Sequence, residues 1–201
     1  NGNQFAYKAL EKGAKLIITD EKQKKTEKEF FLVDNSLICL QKLAEKHRET
    51  LNIPILAITG TNGKTSTKNL IFEILNQKFN IKKTTGNLNN HIGVPLSILS
   101  INQNHELAVL EFGASKLGDI TELCKIGKPT HGLITNIGQA HLKEFKCVEN
   151  IIETKTELWK YLINTNGFIF LNIEDKTLTK RISEKSIYSN YKKMINYGCV
   201  A

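Results

Sequence analysis

Two features predict an α/β fold, a parallel sheet flanked by helices. Short runs rich in β-branched residues alternate with helix-period segments, and a Gly-rich loop joins the first buried run to a helix. The 201 residues are 40% hydrophobic and 24% charged, which argues against disorder. Thirteen Gly with three Pro exclude a collagen-like or linker-dominated chain. The length allows one domain, or one domain with part of another.

The first fifty residues read as a small α/β piece. A helix is expected over 4–12, a strand over 15–19, a charged turn over 20–28 and a strand over 29–33. A helix over 36–48 follows from period, because Leu37, Leu40, Leu43 and Ala44 share one face, with Ser36 as the expected N-cap. A domain boundary is expected near residue 50. IPILAIT (53–59) then reads as a buried parallel strand, and GTNGKTS leads into a helix ending near residue 77. ELAVLEF (106–112), HGLITNI (131–137) and GFIFLNI (167–173) read as further strands, with helices at 119–125 and 148–162 between them. The polar segment TTGNLNNHIG (84–93) is either a turn or a binding loop. In such sheets ligands sit beyond the carboxyl ends of the strands, so the residues just after each strand are the candidates.

Gly60, Thr61, Asn62, Gly63, Lys64, Thr65 and Ser66 stand where a phosphate loop belongs, between a buried strand and a helix. The glycines let backbone N–H groups and the helix N-terminus face an anion. Lys64 can reach the β- and γ-phosphates of ATP, and the Thr65 hydroxyl can ligate Mg²⁺. The spacing is a short variant, Gly-x-x-Gly-Lys-Thr-Ser, because the general pattern would need a Gly at Ile58. The alternative is a Gly-rich turn with a chance Lys; agreement of strand, loop and helix argues against it. Glu111, ending its strand, can face a metal held by Thr65, and His141 follows the next strand on the same side of the sheet. A hydroxyl, a carboxylate and an imidazole suit a divalent metal beside phosphates, with Mg²⁺ favoured by the oxygens. Lys155, among several Lys of a helix, reads by composition as a solvated charge, and Leu158 and Trp159 as packing residues.

The formal net charge is +8, from 28 Lys+Arg against 20 Asp+Glu. Its dispersed runs read as solvated faces suited to anionic small substrates, with no nucleic-acid partner expected. Four Cys without metal-ligand spacing read as reduced thiols of a cytoplasmic protein. No run approaches the roughly 18 apolar residues of a membrane span, so no membrane partner is expected. The start, without Met or signal-peptide character, suggests a fragment.

ITGTNGKTSTK (58–68), TTGNLNNHIGVPLSIL (84–99), LEFGASKLGDI (110–120), LITNIGQAHL (133–142) and ETKTEL (153–158) together resemble the Mur ligases, the ATP-dependent amide-forming ligases of peptidoglycan precursor synthesis. Within the family, GNLNNHIGVPL most resembles the members that add D-alanyl-D-alanine to UDP-MurNAc-tripeptide. It argues against a folylpolyglutamate or cyanophycin synthase-like ligase. A non-catalytic nucleotide-binding module stays open. The resemblance implies ATP and Mg²⁺ as cofactors, UDP-MurNAc-peptide and D-alanyl-D-alanine as substrates, and an acyl-phosphate intermediate. It implies Lys64 on the β/γ-phosphates, Thr65 and Glu111 on one Mg²⁺ and His141 on a second. Lys155 matches a position that the family carbamylates into a metal ligand, and Asn89 and Asn90 match its Asn-rich loop near the peptide substrate. It further implies that 1–50 is the remnant of an N-terminal UDP-substrate-binding domain and 51–201 an incomplete central ATP-binding domain, with the remaining N- and C-terminal parts lying outside this chain.

Overall fold

The computed structural model describes residues 2–21, 29–138, 145 and 147–199. Two sheets are present among these residues. The smaller pairs β1 (Ile17–Thr19) with β2 (Phe30–Leu32) in parallel. It follows a short 3₁₀ turn and α1 (Ala6–Glu11). From residue 22 to residue 28 the expected charged turn lies outside the described residues.

The larger sheet has six parallel strands in the order β4-β5-β3-β6-β7-β8. Its strands are β3 (Ile55–Thr59), β4 (Ile81–Lys83), β5 (Leu107–Glu111), β6 (His131–Ile134), β7 (Phe168–Asn172) and β8 (Met194–Tyr197). The chain leaves the central β3 toward one edge, returns through β5, and crosses to β6 on the other side. That reversal opens a crevice at the carboxyl end of β3. Parallel strands need crossover connections, and helices supply them: α3 (Lys64–Leu75), α4 (Gly93–Leu99), α5 (Asp119–Gly127), α6 (Val148–Asn164), and the pair α7 (Lys176–Glu184) and α8 (Ser186–Ser189).

The alternation of β3 explains the layering. Ile55 and Ala57 point into a large core built with Ile98 of α4, Leu123 of α5, Leu158, Trp159 and Leu162 of α6, and Leu178 of α7. Leu56 and Ile58 point to the opposite face, covered by Ile71, Phe72 and Leu75 of α3. Both faces of β3 are therefore apolar, as a central parallel strand requires.

The N-cap of helix α2 (Ser36–Thr50) lies one residue earlier than expected. Asn35 has extended backbone and its side chain accepts from the Ile38 N–H, so Asn35 is the N-cap and Ser36 the first helical residue. Ser36 is instead held by Asp20, whose carboxylate accepts from both its N–H and its hydroxyl; these bonds hold the Asp20 carboxyl at about 2. α2 packs on α4 and α5. At its end the buried Arg48 guanidinium donates to the carbonyls of Leu51, Ile53, Gly127 and Lys128, finishing α2 and α5 together. Unforeseen in the sequence were β4, α4, α7, α8 and β8. No helix among the described residues is long and apolar enough to cross a membrane.

Candidate active site at the carboxyl ends of the central strands

β3 ends at Thr59 and α3 begins at Lys64, so the loop 60–63 must turn the chain from strand to helix in four residues. Gly60 at φ +141° and Gly63 at φ +77° occupy backbone conformations that a side chain disfavours. At Gly60 space forbids one as well: a Cβ would lie 2.0 Å from the Thr135 hydroxyl oxygen. The first-turn N–H groups of α3 have no intrahelical acceptors and open onto the crevice.

Lys64 folds back over the loop, its Nζ donating at 2.9 Å to both the Gly60 and Thr61 carbonyls. Burial lowers its pKa, against an opposing pull from Glu111. The ammonium is thus held over the loop at the start of α3.

Glu111 closes β5 and is 2% exposed. Its Oε2 accepts from the Thr65 hydroxyl at 2.8 Å, and its Oε1 from the Asn89 amide at 2.8 Å. The Lys68 ammonium, equally buried, stands 3.5 Å from Oε2 and supplies the countercharge that a buried carboxylate needs. Two ligands at adjacent corners of a Mg²⁺ octahedron lie about 3 Å apart. The Thr65 and Glu111 oxygens stand at that spacing beside the phosphate loop, and their hard oxygen chemistry fits this ion.

The Asn-rich segment is a built loop and then a helix. Asn89 is committed to Glu111, while the Asn90 side chain accepts from the N–H groups of Ile92 and Gly93 and so starts α4. Lys155 stands on the inner face of α6, 4% exposed. Burial drives its pKa down to about 8; Lys64 pushes the same way, and Asp119 and Glu157 resist. The solvated reading of Lys155 is thereby overturned, because α6 presents this face to the cavity. Lys64, Asn89, Gly113, Asp119 and Lys155 all line one cavity of about 780 Å³. Asn62 in the loop and Ser66 in the first turn of α3 are exposed. His141 lies outside the described residues.

Sequence reasoning missed two contributions to the site. Lys68 was hidden because a Lys on an amphipathic helix reads as solvated. The second is the role of the loop after β6, where the Asn136 that matches a family position, and Thr135 beside it, hold the phosphate loop: Thr135 donates to the Asn62 carbonyl at 2.7 Å, and Asn136 accepts from the Asn62 N–H and donates to its carbonyl. This brace gives the phosphate loop its shape, and its spacing of more than seventy residues leaves no local signal.

The middle-domain model of the Mur ligases matches residues 58–199, a span that contains the phosphate loop, Asn89, Glu111 and Lys155. The chain belongs to the Mur ligase family. Among relatives of this Mur ligase chain is the UDP-N-acetylmuramoyl-tripeptide–D-alanyl-D-alanine ligase of Bacillus subtilis (strain 168), 36% identical over 176 residues, which are 87% of this chain and 38% of the relative. The crystal structure of MurF from Acinetobacter baumannii superposes with a TM-score of 0.85 at 28% identity, covering 97% of this chain and 42% of that one. MurF ligase of Thermotoga maritima, crystallised in complex with ADP, gives a TM-score of 0.83 at 35% identity, covering 97% of this chain and 44% of that one. The chain thus spans about two fifths of the length of the relatives it matches.

Proposed function

We propose that this Mur ligase chain is the nucleotide-handling part of an ATP-dependent ligase that joins D-alanyl-D-alanine to UDP-MurNAc-tripeptide in cytoplasmic peptidoglycan precursor synthesis. The observation that carries the reading is the convergence of the Thr65 hydroxyl and the Glu111 carboxylate at the phosphate loop, next to the cavity that Lys64, Asn89 and Lys155 line, with Asn89 bonded to Glu111. Similarity to the Bacillus subtilis UDP-N-acetylmuramoyl-tripeptide–D-alanyl-D-alanine ligase favours this substrate pair, and the ADP complex of the Thermotoga maritima relative favours the nucleotide.

In this reading the substrate's terminal carboxylate oxygen attacks the γ-phosphorus of ATP and ADP departs, leaving an acyl phosphate. The amine of D-alanyl-D-alanine then attacks the acyl carbon, inorganic phosphate leaves, and the amine gives up a proton. Such chemistry needs positioning and charge neutralisation more than a protein nucleophile. The loop N–H groups and Lys64 hold the phosphates. Thr65 and Glu111 would hold Mg²⁺, which neutralises the phosphate charge, with His141 proposed for a second ion. Lys68, 3.5 Å from Glu111 Oε2, helps hold the carboxylate in place. Asn89, through Glu111, and Asn90, through α4, fix the loop against which the peptide substrate is proposed to lie.

Lys155, at about 8, keeps a neutral fraction near physiological pH. A neutral amine can add to CO₂, releasing a proton and leaving a carbamate that could serve as an anionic metal ligand. Residues 1–50 are proposed as the end of the UDP-substrate domain and 51–201 as the ATP-binding domain, with α2 as the seam between them because it packs on α4 and α5.

The test is phosphate release from ATP and Mg²⁺ by the complete protein with UDP-MurNAc-tripeptide, with and without D-alanyl-D-alanine. Release that requires both substrates supports the reading. No release alongside intact ATP binding overturns the substrate assignment.

A further inference from the structure

Between β7 and α7 stands a pair of polar side chains that the reaction above does not use. Asn172, the last residue of β7, donates from Nδ2 to the Thr135 carbonyl at 2.9 Å. Asp175 accepts at Oδ2 from the Ile137 N–H at 2.8 Å. The two bonds grip the loop after β6 on either side of Asn136. That loop in turn grips the phosphate loop: the Thr61 N–H donates to the Asn136 carbonyl at 3.0 Å, the Asn136 side chain makes two bonds to the Asn62 backbone, and the Gly138 N–H donates to the Thr61 hydroxyl at 2.8 Å.

We infer that Asp175 and Asn172 are positioning residues for nucleotide binding, acting through the 135–138 loop on the backbone of Thr61 and Asn62. Neither touches the phosphate position. Each instead restricts the loop that sets the direction of the phosphate-facing N–H groups, and a site held in its binding geometry binds more tightly than one that must first be ordered. The inference rests on the phosphate-loop reading above.

Each residue also makes a local bond that allows a selective substitution. Asp175 Oδ1 caps α7 by accepting from the Thr177 and Leu178 N–H groups, and Asn172 Oδ1 accepts from the Glu174 N–H. Asp175→Asn can keep the cap oxygen while turning an amide donor onto the Ile137 N–H. Asn172→Asp can keep the Glu174 bond while setting a carboxylate oxygen against the Thr135 carbonyl. In each case the local turn is retained and the grip on the 135–138 loop is lost.

The experiment measures ATP affinity by calorimetry, steady-state KM and kcat for ATP, and melting temperature, on the complete wild-type protein, Lys64→Ala and the two variants. The expected result is ATP binding weakened about fivefold in each variant, the equivalent of one ordinary hydrogen bond, with KM raised in step and kcat largely kept. Wild-type affinity and KM in a folded variant, whatever its melting temperature, overturn the inference and leave the pair a merely structural turn. A variant that fails to fold is replaced by the other, since each breaks a different bond. ATP binding absent in the wild type, or unchanged in Lys64→Ala, overturns the phosphate-loop reading instead, so the two failures are distinct.

Discussion

Replacing Lys155 by Met should stabilise the protein at neutral pH, by an amount that vanishes as the solution becomes alkaline. The unfolded chain holds this ammonium at its ordinary pKa of 10.5, whereas burial on α6 lowers it to about 8 in the fold. Between those values the unfolded state binds more protons than the folded one, so the Lys155 contribution to stability rises with pH across that window. Below about pH 8 both states carry the charge, and the fold bears the full cost of burying it. At about 1.4 kcal/mol for each tenfold change in proton affinity, that cost is about 3 kcal/mol. Met fills similar volume without charge and escapes it. For a chain of this size the difference corresponds to about 6 to 12 °C in melting temperature. Thermal unfolding of both proteins from pH 6.5 to pH 10.5 should show the Met variant ahead at the low end and the gap closing above pH 8. A gap independent of pH, or a Met variant less stable throughout, would refute the argument that desolvation governs this lysine.

Three further outcomes are expected. Lys64→Ala should lose ATP binding with its melting temperature nearly unchanged, as read by titration with a fluorescent ATP analogue, because its amine bonds only the loop it serves. Gly60→Ala should destabilise by about 1–3 kcal/mol from overpacking against Thr135, and Thr135→Ala in the same protein should restore only part, because the strained backbone at φ +141° persists. Glu111→Gln should cost about 3 kcal/mol in urea unfolding by leaving the buried Lys68 ammonium without a countercharge, and adding Lys68→Met should recover much of that loss.

The strand-loop-helix around the phosphate loop was legible because its signals are local: an unbroken apolar run, two glycines three residues apart, and a helix whose apolar positions follow one face. β4 was not, since Ile81-Lys82-Lys83 offers three residues of which two are charged, and only pairing with β5 makes it a strand. α4 was masked by Gly93 and Pro95, which read as breakers yet sit in its first turn, where a missing N–H costs nothing. β8 lies at the sheet edge with Ile195 and Tyr197 partly exposed, so its sequence lacks the density of a buried strand. In the site, Glu111 could be found because strand ends point at ligands in such sheets. Lys68 and Asp175 could not, nor could the role of Asn136, because each acts through a partner distant in the chain.

The placement of β3 at the centre of the sheet also orders events in time. On a ribosome the phosphate loop emerges well before β5 and β6, the strands that must flank β3, and before Asn136, which must clasp Asn62 from 74 residues downstream. Long-range parallel pairing is slow, because loop closure precedes its reward. The phosphate loop therefore acquires its geometry among the last parts of the chain, and a nascent chain halted before residue 138 should fail to retain on an ATP resin what the finished sheet retains. On the proposed function, nucleotide capture would report the completion of this fold.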